Sequence, residues 1–157
     1  MTAAVAGAVT LLFIACGGKP PKPPPPTKAA IVVSADVNPD SAGRPSPVVV
    51  RLYQLKEEGA FNAASYFAVW DKEQSTLGPS LESREEYELQ PGQTREVILK
   101  IPPEARYLGA VAAFRDLNNS RWKALSPAPE KGLLDLVRKH KLIVTVERAA
   151  VKIAPAN

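Results

Sequence analysis

The residues that perform chemistry are scarce in this chain. Its 157 residues include one cysteine, one histidine and one methionine. With Cys16 alone, no intrachain disulfide can form, so a domain of this length must be held by packing. With His140 alone, a metal site built on paired histidines is excluded, and a serine triad would have a single base to use. His140 lies in Arg138-Lys139-His140-Lys141 and reads as a solvated residue flanking a strand. No Gly-rich phosphate loop, CxxC pair or calcium-loop pattern occurs. The neighbours Glu57-Glu58 and Glu85-Glu86 cannot converge on one substrate atom, because adjacent strand residues point to opposite faces. Asp36, Asn38 and Asp40 bring too few oxygen donors together for calcium. Blocks of like charge are missing too. Twenty Lys and Arg are interspersed with 16 Asp and Glu, a net +4 that leaves no nucleic-acid footprint. The chain reads as a non-catalytic binder without a cofactor or metal.

What the chain does contain starts at its N-terminus. The uncharged run Val9-Thr10-Leu11-Leu12-Phe13-Ile14-Ala15 ends at Cys16 and is followed by Gly17-Gly18. The run suits a signal-peptide core and is short for a membrane span. Ala15 before Cys16 reads as the cleavage point of a bacterial lipoprotein signal, leaving Cys16 as the lipid-modified first residue. Each buried acyl methylene contributes about 0.8 kcal/mol, so several chains hold a protein on its membrane. Phe13 stands where such signals usually carry Leu, and no Lys or Arg precedes the run. The alternative, a cysteine buried in a core helix, would need that helix to end at Gly-Gly and a proline tract.

From Gly17 to Lys28 the chain is dominated by Pro20, Pro21 and the run Pro23 to Pro26. This composition favours extended polyproline II over sheet pairing. At about 3.1 Å per residue it would hold a domain up to 37 Å from the lipid. The expected division is therefore 1–15 signal peptide, 16–28 lipidated cysteine and tether, and 29–157 folded domain.

Beyond Ala29 the sequence turns to short β-branched segments punctuated by Pro, Gly and Asn. Ile31, Val33, Ala35 and Val37 alternate with Val32, Ser34 and Asp36, which predicts a strand. Asn38 to Ser46 is dense in turn residues and predicts a loop. Pro47 to Leu55 is apolar on both faces, as a central strand would be, and Tyr107 to Phe114 has the same character. Glu86–Leu89 and Thr94–Ile101 flank Gln90-Pro91-Gly92-Gln93, a hairpin signal in which Gly92 supplies the positive φ of a type II turn. Arg121 to Leu125, Leu142 to Glu147 and Val151 to Ile153 complete seven or eight short strands, the pattern of a β-sandwich. Phe61 to Lys72 breaks this rhythm: Asn62 can cap a helix whose Phe67 and Trp70 would press on the sandwich. Leu133 to Lys139 predicts a further turn or two of helix.

One combination is more specific than these patterns. Ser34-Ala35-Asp36-Val37-Asn38-Pro39 precedes Gly43-Arg44-Pro45-Ser46-Pro47-Val48-Val49-Val50-Arg51-Leu52-Tyr53-Gln54-Leu55. Phe61-Asn62-Ala63-Ala64, Leu77-Gly78, Leu89-Gln90-Pro91-Gly92, Tyr107-Leu108-Gly109-Ala110-Val111-Ala112-Ala113-Phe114-Arg115-Asp116 and Trp122 follow in order. With a cysteine before a spacer, this series resembles TssJ, the outer-membrane lipoprotein family of the type VI secretion system (VasD/SciN-like). The resemblance implies a mainly β, transthyretin-like sandwich with one or two short helices. It further implies a lipid on Cys16, the periplasmic face of the outer membrane, and a structural role. The implied partner is the periplasmic C-terminal region of TssM, in a membrane complex that also contains TssL. The implied contact is the first interstrand loop, here Asn38, Pro39, Asp40, Ser41, Ala42, Gly43, Arg44, Pro45 and Ser46. Arg44 would offer a fork for carboxylates and Asp40 an acceptor. A periplasmic carrier or sensor holding a small ligand between its sheets is the alternative, and it would need a roomy apolar cavity.

Overall fold

Among the described residues, alternating apolar residues and two-faced apolar runs place eight strands in two stacked sheets. The computed structural model describes residues 26–129 and 142–156. Strands β1 (Pro26–Val33), β4 (Thr94–Lys100), β7 (Leu142–Glu147) and β8 (Ala150–Pro155) form one sheet in the order β4-β1-β7-β8. Strands β2 (Val48–Leu55), β3 (Leu81–Leu89), β5 (Tyr107–Ala112) and β6 (Lys123–Pro127) form the other, in the order β3-β2-β5-β6. Among the described strands, β1 and β7 pair in parallel and the other strand pairs are antiparallel, while an isolated parallel bridge joins Arg121 to Ala150. The mainly β sandwich expected from the sequence is therefore the fold.

The inward-facing residues follow the two-residue period of a strand. Ala29, Ile31 and Val33 of β1 meet Val48, Val50 and Leu52 of β2 and Leu108, Ala110 and Ala112 of β5 in a core closed to water. The opposite face of the β2–β5 sheet is apolar as well, and a helical segment covers it. Tyr53, Leu55 and Val111 pack there against Phe61, Val69 and Leu77. That second layer explains why β2 and β5 lack a polar face. It also explains Gly109: a Cβ there would stand 2.8 Å from Cζ of the buried Phe61, so the bare backbone makes room for the ring.

The helical segment differs from the single helix expected from Asn62. It consists of α1 (Gly59–Ala63), α2 (Tyr66–Asp71), α3 (Glu73–Leu77) and a 3-10 turn, Gly78–Ser80. Ser65, not Asn62, caps α2, its hydroxyl accepting from the Ala68 N–H at 3.4 Å. Trp70 faces the sandwich as expected, but Phe67 is 64% exposed. Tyr66 takes the inner position instead, stacked on Trp70 with centroids 5.4 Å apart and edge-on to Trp122 at the same distance. Burial pushes its phenol up to about 12.

Charged groups tie this layer down. Arg51 lies 3.8 Å from the Trp70 ring centroid, donates to the Trp70 carbonyl at 2.7 Å and to Glu86 at 2.6 Å. The Lys123 ammonium donates to the carbonyls of Phe61, Asn62 and Ala64 at 3.2, 2.7 and 2.9 Å, closing the C-terminal end of α1. Burial lowers its pKa.

Several strand limits also differ. β1 starts at Pro26, inside the stretch read as tether, and pairs there with Lys100. A proline is compatible with the first residue of a strand, where no ladder N–H is required. β1 ends at Val33, so Ser34 to Val37 belong to the following connection. The Gln90–Gln93 turn forms as expected, with Gly92 at φ 75 and the Gln93 N–H donating to the Gln90 carbonyl at 3.1 Å. It is not a hairpin, however, because β3 pairs with β2 and β4 with β1. The turn instead carries the chain from one sheet to the other. Donation from Gly92 to the Ser34 carbonyl and from Val33 to the Gln93 carbonyl binds it to the end of β1. The expected helix over Leu133 to Lys139 lies outside the described residues, as do Cys16 and His140.

Candidate functional site

Strand directions sort the connections into two poles. The registers place the end of β1, the start of β2 and the β3–β4, β5–β6 and β7–β8 turns at one pole. Pro26, where the chain enters the sandwich, lies at the other with Lys100 and Pro155. The loop singled out by the sequence thus sits at the far end of the strand that follows the proline tract.

Asn38 is the keystone of the loop pole. It is buried and has a positive φ of 48, a backbone state that Asn tolerates better than most residues. Its backbone N–H donates to the Arg148 carbonyl at 2.9 Å. Its Nδ2 donates to the Pro47 carbonyl at 2.7 Å, and its Oδ1 accepts from the Arg115 N–H at 2.8 Å. One side chain and its backbone therefore join the β1–β2, β5–β6 and β7–β8 connections. Ser46, also buried, closes the loop from its other end through donation to the Val37 carbonyl at 3.1 Å.

Above this base the loop is clipped upon itself. The Asp40 Oδ1 accepts from the N–H groups of Ala42 and Arg44, both at 2.9 Å. Its Oδ2 receives Nε and Nη2 of Arg44, both at 2.8 Å. The backbone joins in, Asp40 donating to the Arg44 carbonyl and Gly43 to the Asp40 carbonyl, each at 2.9 Å. Gly43 carries the φ of 78 that the reversal requires. The Arg44 N–H bond, ahead of the other contacts, holds the Asp40 carboxyl below its ordinary range.

The geometry divides the nine residues expected at the site. Ser41, Ala42, Gly43, Arg44 and Pro45 are exposed, Pro39 and Asp40 are half-buried, and Asn38 and Ser46 are internal supports. The carboxylate of Asp40, expected as an acceptor for a partner, is occupied by Arg44, whose side chain remains 80% exposed. Asp36, Asn38 and Asp40 do not gather their oxygens: Asp36 faces Arg148 at 3.8 Å, and Asn38 and Asp40 are bonded as described. Among the described residues, no group of His, Cys, Asp and Glu is placed to hold a metal ion.

A cleft of about 660 Å³ opens beside the loop. Asn38 to Ser41 form one wall, Phe114 to Asp116 and Asn119 a second, and Arg148 with Ala149 a third. The sequence reading missed the last two walls, which come from distant segments. Their local signal was limited to the turn residues Asp116 to Ser120 and the short break before Ala150. The cleft lies at the pole; the space between the sheets is filled by the core.

Comparison with known proteins agrees with this architecture. The T6SS-SciN family, described as type VI secretion lipoprotein (VasD, EvfM, TssJ), matches residues 25–149. The T6SS lipoprotein TssJ1 from Pseudomonas aeruginosa shares 36% identity over 85% of this chain and 98% of its own, with a TM-score of 0.73. Serratia marcescens Lip, a membrane-bound component of the type VI secretion system, matches at 22% identity, 85% and 99% coverage and a TM-score of 0.71. A chain in the structure described as the T6SS protein TssM C-terminal domain from EAEC matches at 24% identity, 83% and 98% coverage and a TM-score of 0.64. At these two lower identities the likeness concerns the fold alone. No curated protein matches the chain. On the extent of the family match and the identity to TssJ1, the chain belongs to the type VI secretion lipoprotein family.

Proposed function

We propose that this protein anchors the type VI secretion membrane complex to the outer membrane. In this reading Cys16 carries the lipid on the periplasmic face, and the loop pole grips the periplasmic C-terminal region of TssM, in a complex that also contains TssL. Residues 1–15 are the signal. The tether runs from Cys16 to Pro25, three residues shorter than composition suggested, because Pro26 already pairs in β1. At about 3.1 Å per residue such a tether reaches roughly 30 Å. The protein acts by holding rather than by catalysis.

The observation that carries this reading is the pair of attachment points at the two ends of β1. Pro26 is the end nearer Cys16, and the clipped loop begins just past Val33. The clip favours binding because Ser41 to Pro45 are presented in a fixed shape, so little conformational freedom is left to lose. The EAEC structure described by its TssM domain contains a chain of this fold, which supports TssM as the partner.

Deleting Ser41 to Gly43 removes the exposed tip and leaves Asn38 and Ser46 in place. In calorimetric titration with the periplasmic C-terminal domain of TssM, the deletion should lower affinity at least about tenfold, the scale of losing one good interfacial contact. Its thermal unfolding should stay cooperative. Equal affinity for both proteins would remove the loop from the interface.

A further inference from the structure

Among the described residues, Arg115 is a cation at the loop pole whose charge is left open. Arg44 is engaged by Asp40 at 2.8 Å, and Arg148 lies 3.8 Å from Asp36. The neighbouring Asp116 carboxylate is turned to Asn119, accepting from its backbone N–H at 3.2 Å and its Nδ2 at 2.8 Å. The exposed guanidinium of Arg115 has no ion pair among the described residues, yet it lines the cleft and its charge reaches Asp40 across it.

We propose that the cleft is a second half of the partner-binding surface, in which Arg115 pairs with a carboxylate side chain carried by the docked segment of the partner protein. This inference rests on the reading of the loop pole as the partner-binding face, and it extends the contact from the first loop to the β5–β6 connection. Three features fit that occupant. The cleft is continuous with the exposed loop, since Pro39, Asp40 and Ser41 belong to both. The mount of Arg115 is fixed: its N–H is bound at 2.8 Å by the buried Asn38, and the adjacent Phe114 is buried. From that fixed backbone the guanidinium offers a planar fork that matches a carboxylate in two parallel hydrogen bonds. Finally, cleft walls that displace water from the pair strengthen it relative to an ion pair on an open surface. The volume suits a few side chains of a polypeptide rather than a folded element.

The test is charge reversal in the full chain, titrated with the periplasmic C-terminal domain of TssM. Arg115→Glu should lower affinity by at least about tenfold, the loss expected when a desolvated interfacial charge is opposed by a like charge. Arg106→Glu makes the same charge change at an exposed site at the opposite pole and should bind as the unaltered chain does. Arg115→Lys should fall between the two, because the fork is lost while the charge is kept. Equal affinity for Arg115→Glu and the unaltered chain would overturn the inference, as would an equal loss in Arg106→Glu, which would mark a net-charge effect. Failure of the unaltered chain to bind would refute the reading of the loop pole itself, a result distinct from either.

Discussion

At the scale of single residues, the loop pole depends on Asn38. Its side chain makes two hydrogen bonds, to Arg115 and Pro47, from a buried position with positive φ. Asn38→Ala removes both bonds and adds the cost of a Cβ-bearing residue without a local hydrogen bond in the left-handed region. The expected destabilisation is about 2–4 kcal/mol. Asn38→Gly loses the same bonds without the backbone strain and should cost less than Ala. Urea denaturation of the two variants checks this order; equal stability of Asn38→Ala and the unaltered chain would show that the base of the loop is not held here. The sequence shows an Asn-Pro turn at this position but cannot show its partners, because Arg115 and Arg148 reach it only through tertiary folding. Gly109 is similar: a glycine in an apolar strand is visible, whereas the Phe61 ring that requires it is not.

Among the elements, the strands were more legible than the helices, for a physical reason. A strand such as β7 announces itself by alternation, and its limits, Leu142–Glu147, match the reading from sequence. The helices α1 to α3 are each a turn or so long, below the length at which intrinsic propensity decides. Their limits follow from docking on Tyr53, Leu55 and Val111, and from contacts of Arg51 and Lys123 that join residues far apart in the chain. The β3–β4 connection failed for a related reason, since a four-residue turn signal does not state whether its strands pair or separate. The loop adds a pH dependence of its own. Because Asp40 is more acidic in the fold than its ordinary 3.8, its contribution is fully present above that value. It is lost as the pH falls through the lower, folded value. The amide proton shifts of Ala42 and Arg44 should therefore titrate with a midpoint below 3.8, and a midpoint at or above it would show that the clip is not formed in solution.

For the molecule as a whole, the sandwich and the family were within reach of the sequence, because periodicity gives the strands and the ordered motifs give the lineage. The polarity of the sandwich was not, since it depends on which way each paired strand runs. That polarity sets the entry of the chain at Pro26 against the four turns at the other pole. In the proposed reading, lipid and partner would be engaged together without competing for one surface. The cleft became visible only once three connections had been brought side by side. The most direct measurement is flotation of the TssM periplasmic domain with vesicles bearing the lipidated protein from Cys16 onward. The account predicts that the domain floats with these vesicles. It should remain at the bottom of the gradient when Cys16→Ser or the Ser41–Gly43 deletion replaces the unaltered protein. A domain that fails to float with the unaltered protein, or floats equally with the deletion, would contradict it.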